Sequence, residues 1–221
     1  MRLSRTLAPV PAAMAAAAIG AGCGLGPGDS TDGEATLTVT RDYGAQELLE
    51  ATASDPSESE TVMRLLDREA DIETRYGGGF VQSIEGISGS VSGGRSLDWF
   101  FFMNGVESSI GAADTTVSAG DRVWWDYRDW TAAMRVPAVV GSWPEPFLQA
   151  SAGPERLPVR VVCAGRKPPC EAAEDALADS GVSAVVTPLD KEETSPSLRL
   201  VVGELEEIGA DPAARLIERG P

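Results

Sequence analysis

The chain has 221 residues, 43% of them hydrophobic, enough for one large folded unit or two small ones. Its 34 acidic residues against 18 basic ones give a net charge of −16, which repels phosphate backbones and argues against nucleic-acid binding. There is no histidine, which removes the Ser-His-Asp and Cys-His catalytic arrangements and the commonest zinc ligand.

Arg2 and Arg5 form a short positive region, after which Thr6 to Gly22 is uncharged and mostly alanine. Residues 1–22 therefore read as an export signal. A membrane span needs about 20 strongly apolar residues, whereas this stretch is shorter and carries Pro9 and Pro11. The approach to Cys23 resembles the lipobox of bacterial lipoproteins. Ala21 and Gly22 occupy the small positions, while Gly20 stands where an aliphatic residue is usual. The resemblance implies that Cys23 becomes the lipidated first residue of the mature chain. That lipid would anchor it to the outer face of the cell membrane of a Gram-positive-type bacterium. An ordinary export signal with an incidental cysteine is the alternative. Three cysteines is an odd count for an exported protein, and setting Cys23 aside leaves Cys163 and Cys170 as a disulfide pair. Residues 23–34 are rich in Gly, Pro and small polar residues and read as a flexible tether.

All the Trp, Tyr and Phe residues lie between Tyr43 and Phe147. This shift, with the run "QASAGPERLP", divides a first domain, residues 35–147, from a second, residues 157–221. The first opens with alternating Ala35, Leu37 and Val39 against Thr36, Thr38 and Thr40, a half-buried strand. "AQELLEATAS" pairs with it as a hairpin strand, although helix propensity alone favours a helix. "DPSESETVMRLLDREADIE" reads as a helix, with Val62, Leu65, Leu66 and Ile72 near helical spacing and acidic residues at its start. Gly77–Gly79 then stop the helix and turn into the strand "FVQSI". "SLDWFFFMNGV" is a strand running into Asn104-Gly105, a dipeptide suited to a tight hairpin turn. "SAGDRVWWDYRDW" is a turn and a closing strand. Two strands, a helix and further strands is the order of a β-grasp, a mixed sheet wrapping one helix.

The elements "GGGFVQSIEGI", "WFFFMNGV" and "AGDRVWWDY" together resemble the bacterial transcobalamin-like C-terminal domain. That domain has long been catalogued without a function and is similar in fold to the soluble-ligand-binding β-grasp group. The match runs from about Ala35 to Trp130, and the following "AAMRVPAVVGSWPEPF" looks like an extension of exported actinobacterial-type members. The resemblance implies a corrinoid as a candidate ligand. Transcobalamin-type carriers close cobalamin between this small domain and a large helical barrel, for which the chain has no room. It would offer one wall of such a site, and no cobalamin-contacting residue carries over.

In the second domain, "LPVRVVCA", "VSAVVTPL" and "SLRLVVGEL" read as strands. "PPCEAAEDALADSG" reads as a helix ended by Gly181, and "ADPAARLIERG" as a final helix with Asp211-Pro212 at its start. The fold class expected is α+β: a β-grasp-like mixed sheet with one helix, followed by a small α/β domain. A Cys163–Cys170 bridge would staple the thin second core. A metal or redox pair is the rival reading, disfavoured by the six-residue spacing and the missing histidine.

No catalytic motif stands out, and the chain reads as a non-enzyme without a cofactor or metal. "DREADIE" reads as a solvated helix face rather than a calcium site. Asp121, Asp126 and Asp129 read as surface carboxylates ion-paired with Arg122 and Arg128. Strand parity divides the aromatics. Trp99, Phe101 and Met103 share one face, Phe100 and Phe102 the other. Val123, Trp125 and Tyr127 should form core, while Trp124, Asp126, Arg128 and Trp130 mix charge with tryptophan. That second row faces solvent, a ligand or another domain, because exposed tryptophans at this density need a cover. The cover is residues 131–147, the second domain, or a ligand stacked on Trp99, Trp124 and Trp130. Two functions lead: a binding module for a small molecule such as a corrinoid or for a partner protein, or a structural lipoprotein whose aromatics serve packing; an exported hydrolase comes third.

Overall fold

The computed structural model describes residues 29–30, 32–132, 134, 141–148, 151–152, 155–165, 167–190, 195–209, 211–212 and 214. The export signal, Cys23 and most of the tether lie outside the described residues, as do residues 135–140 and most of the expected last helix. Among the described residues no helix is long and apolar enough to cross a membrane.

The chain is α+β. Its elements are β1 (Glu34–Arg41), β2 (Gln46–Ser54), α1 (Val62–Glu69), β3 (Ile72–Arg75), β4 (Phe80–Ile84), β5 (Ile87–Ser88), β6 (Ser90–Ser92), β7 (Arg95–Met103), β8 (Val106–Glu107) and β9 (Arg122–Asp129). There follow β10 (Ser151–Ala152), β11 (Glu155–Arg156), β12 (Val159–Cys163), α2 (Lys167–Asp179), β13 (Ala184–Pro188), β14 (Leu198–Val202) and α3 (Leu205–Ile208).

The main sheet runs β2-β1-β9-β7-β6, with β8 added to β7. β1 is antiparallel to β2 and parallel to β9, and β9 is antiparallel to β7. "AQELLEATAS" is therefore a hairpin strand, since pairing along β1 outweighs its helix propensity. β3, β4 and β5 form a separate small antiparallel sheet.

The helix is shorter than the sequence implies. It spans Val62–Glu69 and starts at Thr61, whose Oγ1 accepts from Arg64 N at 3.2 Å. The acidic run precedes it, no acidic residue lies in its first turn, and Ile72 opens β3 instead. Gly77–Gly79 consequently form the β3–β4 hairpin turn rather than a helix stop. Val62, Met63, Leu65 and Leu66 of α1 pack on Leu37, Val39, Val123, Trp125 and Tyr127, a single core over one sheet face. Fully burying such side chains contributes about 1.5–3 kcal/mol each.

The Asn104-Gly105 turn has positive φ at both residues, 49° and 73°, and joins Met103 to Val106 in register. Asn104 also ties the turn to β9, donating from Nδ2 to Asp121 Oδ1 at 2.8 Å and accepting from Arg122 N at 2.8 Å. The end of the tether is held rather than loose: Ser30 bridges Ser57, and Gly33 N donates to Asp55 Oδ1 at 2.9 Å.

The second unit is a three-stranded parallel sheet in the order β13-β12-β14, with α2 packed on it. Gly181, at φ 77°, follows α2 as the turn chemistry requires. Cys163 and Cys170 form a disulfide between the end of β12 and the first turn of α2, with Cα atoms 6.0 Å apart. Asp211 pairs with Arg199 of β14.

Candidate functional site

β7 and β9 bring the two aromatic runs side by side, Phe101 opposite Trp125 and Phe102 opposite Trp124. Because neighbouring residues of a strand point to opposite faces, each run supplies both faces. On the α1 face, Phe101 and Trp125 stack at 5.0 Å, and Trp99 lies 5.2 Å from the Tyr127 ring. Trp99 Nε1 donates to Ile87 O at 2.8 Å, and Tyr127 Oη to Ser88 O at 2.9 Å. This is the core expected of Val123, Trp125 and Tyr127.

The opposite face is also closed. Trp124, Asp126 and Arg128 are 1%, 0% and 1% exposed, so the charged row is interior and not a solvent face. Burial is compensated for Trp124 and Asp126 by hydrogen bonds, while Arg128 Nη1 and Tyr43 Oη make no hydrogen bond among the described residues. Thr40 Oγ1 donates to Asp126 Oδ1 at 2.6 Å and accepts from Trp124 Nε1 at 2.8 Å. Tyr43 N donates to Asp126 Oδ2 at 3.1 Å. Burial pushes the Asp126 carboxyl above its usual range, and the Thr40 and backbone hydrogen bonds oppose that rise. The Arg128 guanidinium lies over the rings of Phe100, Phe102 and Tyr43, 4.5–5.3 Å from their centroids, and pairs with Glu107 Oε2 at 3.4 Å. Residues 142–148 pack against the Asn104-Gly105 turn. A Cβ on Gly105 would lie 2.8 Å from Pro146 N, and Trp143 Nε1 donates to Ser180 Oγ at 3.1 Å. That segment thus touches both units.

The carboxylates expected to be ion-paired on the surface have other partners. Asp121 holds Asn104 and Ser118 N, and Asp126 is interior. Asp129 pairs with Arg95 at 2.7 Å, and Thr131 and Arg95 hold its carboxyl down at about 2. None of the three is arranged as an acid–base pair.

Trp99, Trp124 and Trp130 lie in three different surroundings. Trp124 is sealed between Phe102, 4.5 Å away, and Thr40. Trp99 lines a cleft of about 190 Å³ between the β3–β4 hairpin and β7, with Met63, Phe80, Phe101, Glu107 and Trp125 among the other walls. Trp130 is half-buried and lines a second cavity of about 220 Å³ together with Phe80 and Asp98. Phe80, 43% exposed, stands between the two, with the exposed Tyr76 ring 6.2 Å from it. Sequence parity missed Phe80 and Tyr76 because they flank a glycine turn outside the two aromatic runs. Their apolar type at a polar hairpin tip was the available signal.

Residues 59–129 match the family described as a domain of unknown function, DUF4430. The DUF4430 segment spans α1 to β9 and includes both cavities except Trp130, which lies one residue beyond it. No curated protein matches the chain. Among solved structures, the chain is similar to a protein of Ruminococcus gnavus ATCC 29149, described as metal-binding by suggestion only. The two are 20% identical, the likeness covers 44% of this chain and 98% of that one, and the TM-score is 0.34. A likeness at that score carries no argument about fold or ligand. Among the described residues no group of three or more Asp, Glu, Cys or His side chains is placed to hold a metal ion.

Proposed function

We propose that this chain is a non-catalytic binding module on an exported, lipid-anchored protein, and that its DUF4430 segment takes a flat, apolar small molecule. The carrying observation is the cleft of about 190 Å³ floored by Trp99, Phe101 and Trp125 and edged by the exposed Phe80 ring. Concave, aromatic-lined sites with few polar groups suit such ligands. The cleft is too small to enclose a corrinoid, so the chain provides one wall and a partner the other. The β-grasp reading is supported by β1 running parallel to β9 and by a helix between β2 and the later strands. The Cys23 anchor rests on the lipobox resemblance alone, and no metal or cofactor is assigned.

Titrating cobalamin while following tryptophan fluorescence tests the ligand. Quenching beyond the optical inner-filter effect that is lost in Phe80→Ala supports the proposal, and no such quenching at saturation refutes the corrinoid. Replacing Cys23 with Ser should move the protein from the membrane fraction to the soluble one. A second reading, a packing lipoprotein without a ligand, is favoured by the sealed Trp124–Arg128 face and by the contacts of residues 142–148. It gains if wild type and Phe80→Ala respond alike to every apolar ligand tried.

A further inference from the structure

The cavity of about 220 Å³ at the outer edge of β7 is separate from the cleft described above, sharing only Phe80 with it. Its walls include Phe80, Gln82, Ser90, Asp98 and Trp130. Asp98 lies against the chain at Gly89, where an added Cβ would be 2.9 Å from Oδ1. Among the described residues the carboxylate accepts one hydrogen bond, from Trp99 N to Oδ1 at 2.9 Å. Partial burial raises its pKa and the Trp99 hydrogen bond opposes that rise only in part. The natural counter-ions are committed elsewhere. Arg128, directly across the β7–β9 pair from Asp98, is stacked on Phe100 and Phe102 and pairs with Glu107. Arg95 pairs with Asp129. Among the described residues no arginine or lysine pairs with Asp98.

We infer that this cavity binds an organic ammonium, with Asp98 as counter-ion and Phe80 and Trp130 as aromatic walls. A single carboxylate cannot supply the six or more oxygen ligands of calcium or the octahedral shell of magnesium. A bulky, weakly hydrated ammonium asks for less: one anion and aromatic rings to replace its thin hydration. The net charge of −16 draws cations toward the surface from a distance. The inference stands whether or not the neighbouring cleft takes an apolar ligand.

The test uses the full chain, choline, and the neutral isostere 3,3-dimethylbutan-1-ol, followed by calorimetry and by amide shifts around residues 80–98 and 130. Choline should bind roughly tenfold or more tightly than its isostere, the scale expected for one desolvated ion–ring site. Sodium chloride at the same ionic strength should not reproduce the shifts. Asp98→Asn should abolish the preference for the charged ligand, and Trp130→Leu should weaken choline while leaving the fold intact. Titrating n-butylammonium alongside separates the sources. A preference for it assigns a lysine side chain and a preference for choline a free quaternary amine, and either supports the site. The comparison of choline with its isostere needs no variant, so misfolding of a mutant does not obscure it. Equal binding of choline and the isostere, no binding of either ammonium, or undiminished choline binding by Asp98→Asn overturns the inference.

Discussion

Replacing Thr40 with valine keeps the volume and β-branching of the residue but removes the hydroxyl that joins Trp124 to Asp126. Thr40 is 5% exposed and Asp126 0% exposed, so water cannot substitute for the lost bonds. The indole N–H left without an acceptor costs about 1–3 kcal/mol, and loss of a hydrogen bond to a charged group costs about 1.5–3 kcal/mol. Asp126 keeps its bonds from Tyr43 N and Gly44 N, which favours the lower end, so the expected destabilisation is about 3 kcal/mol in urea unfolding at neutral pH. The sign of its pH dependence follows from burial. Asp126 is raised above its unfolded value, so its contribution to stability falls as pH rises from the ordinary carboxyl range through the folded value. Without the Thr40 bond the carboxyl rises further, and the gap between wild type and variant should widen from acid to neutral pH. Thr40→Ser, which retains the hydroxyl, should lose about 1 kcal/mol. A neutral-pH difference below about 1 kcal/mol for Thr40→Val, or a gap that widens toward acid, would refute this account of the buried face.

Gly105→Ala meets both a positive φ of 73° and atoms of Glu145 and Pro146 within 2.9 Å. It should lose about 1–2 kcal/mol from backbone strain alone and speed proteolysis within residues 141–148; unchanged cleavage there would show that the segment is not held by this contact. Replacing both Cys163 and Cys170 with serine opens an eight-residue ring, worth about 2.5 kcal/mol by chain entropy. The loss should appear in far-UV circular dichroism of the second unit while the tryptophan transition of the first unit stays put, and an equal shift in both would mean that the units unfold together. Asp98 is raised by burial, so its charge opposes folding above its folded pKa; Asp98→Asn should therefore be more stabilising at pH 7 than at pH 4, read from thermal midpoints, and the reverse order would contradict the desolvation of Asp98.

Local chemistry made much of the fold legible in the chain itself. Alternation in residues 35–40 marks β1, Asn104-Gly105 dictates a turn with positive φ twice over, and the apolar runs around Val161, Val186 and Leu200 declare strands. These signals depend only on neighbours a few residues apart, which sequence displays directly. Helix length was not legible, because the limit of α1 is set by the pairing of Ile72 with Ile84 in the small sheet rather than by helix propensity.

The candidate site depended still more on the tertiary structure. Parity correctly divides the aromatic runs into two faces, but a row of Trp124, Asp126 and Arg128 carries the same pattern whether water or Thr40, Tyr43 and Phe102 lie opposite. Only the parallel pairing of β1 with β9 places Thr40 beside Asp126 and converts an apparent surface into an interior. The pairing of β7 with β9 and β8 engages Arg128 and Arg95 with Glu107 and Asp129, leaving Asp98 with Phe80 and Trp130 around one cavity. Composition determined which groups the protein has; folding decided which of them are compensated, because burial and charge pairing belong to residues far apart in the chain.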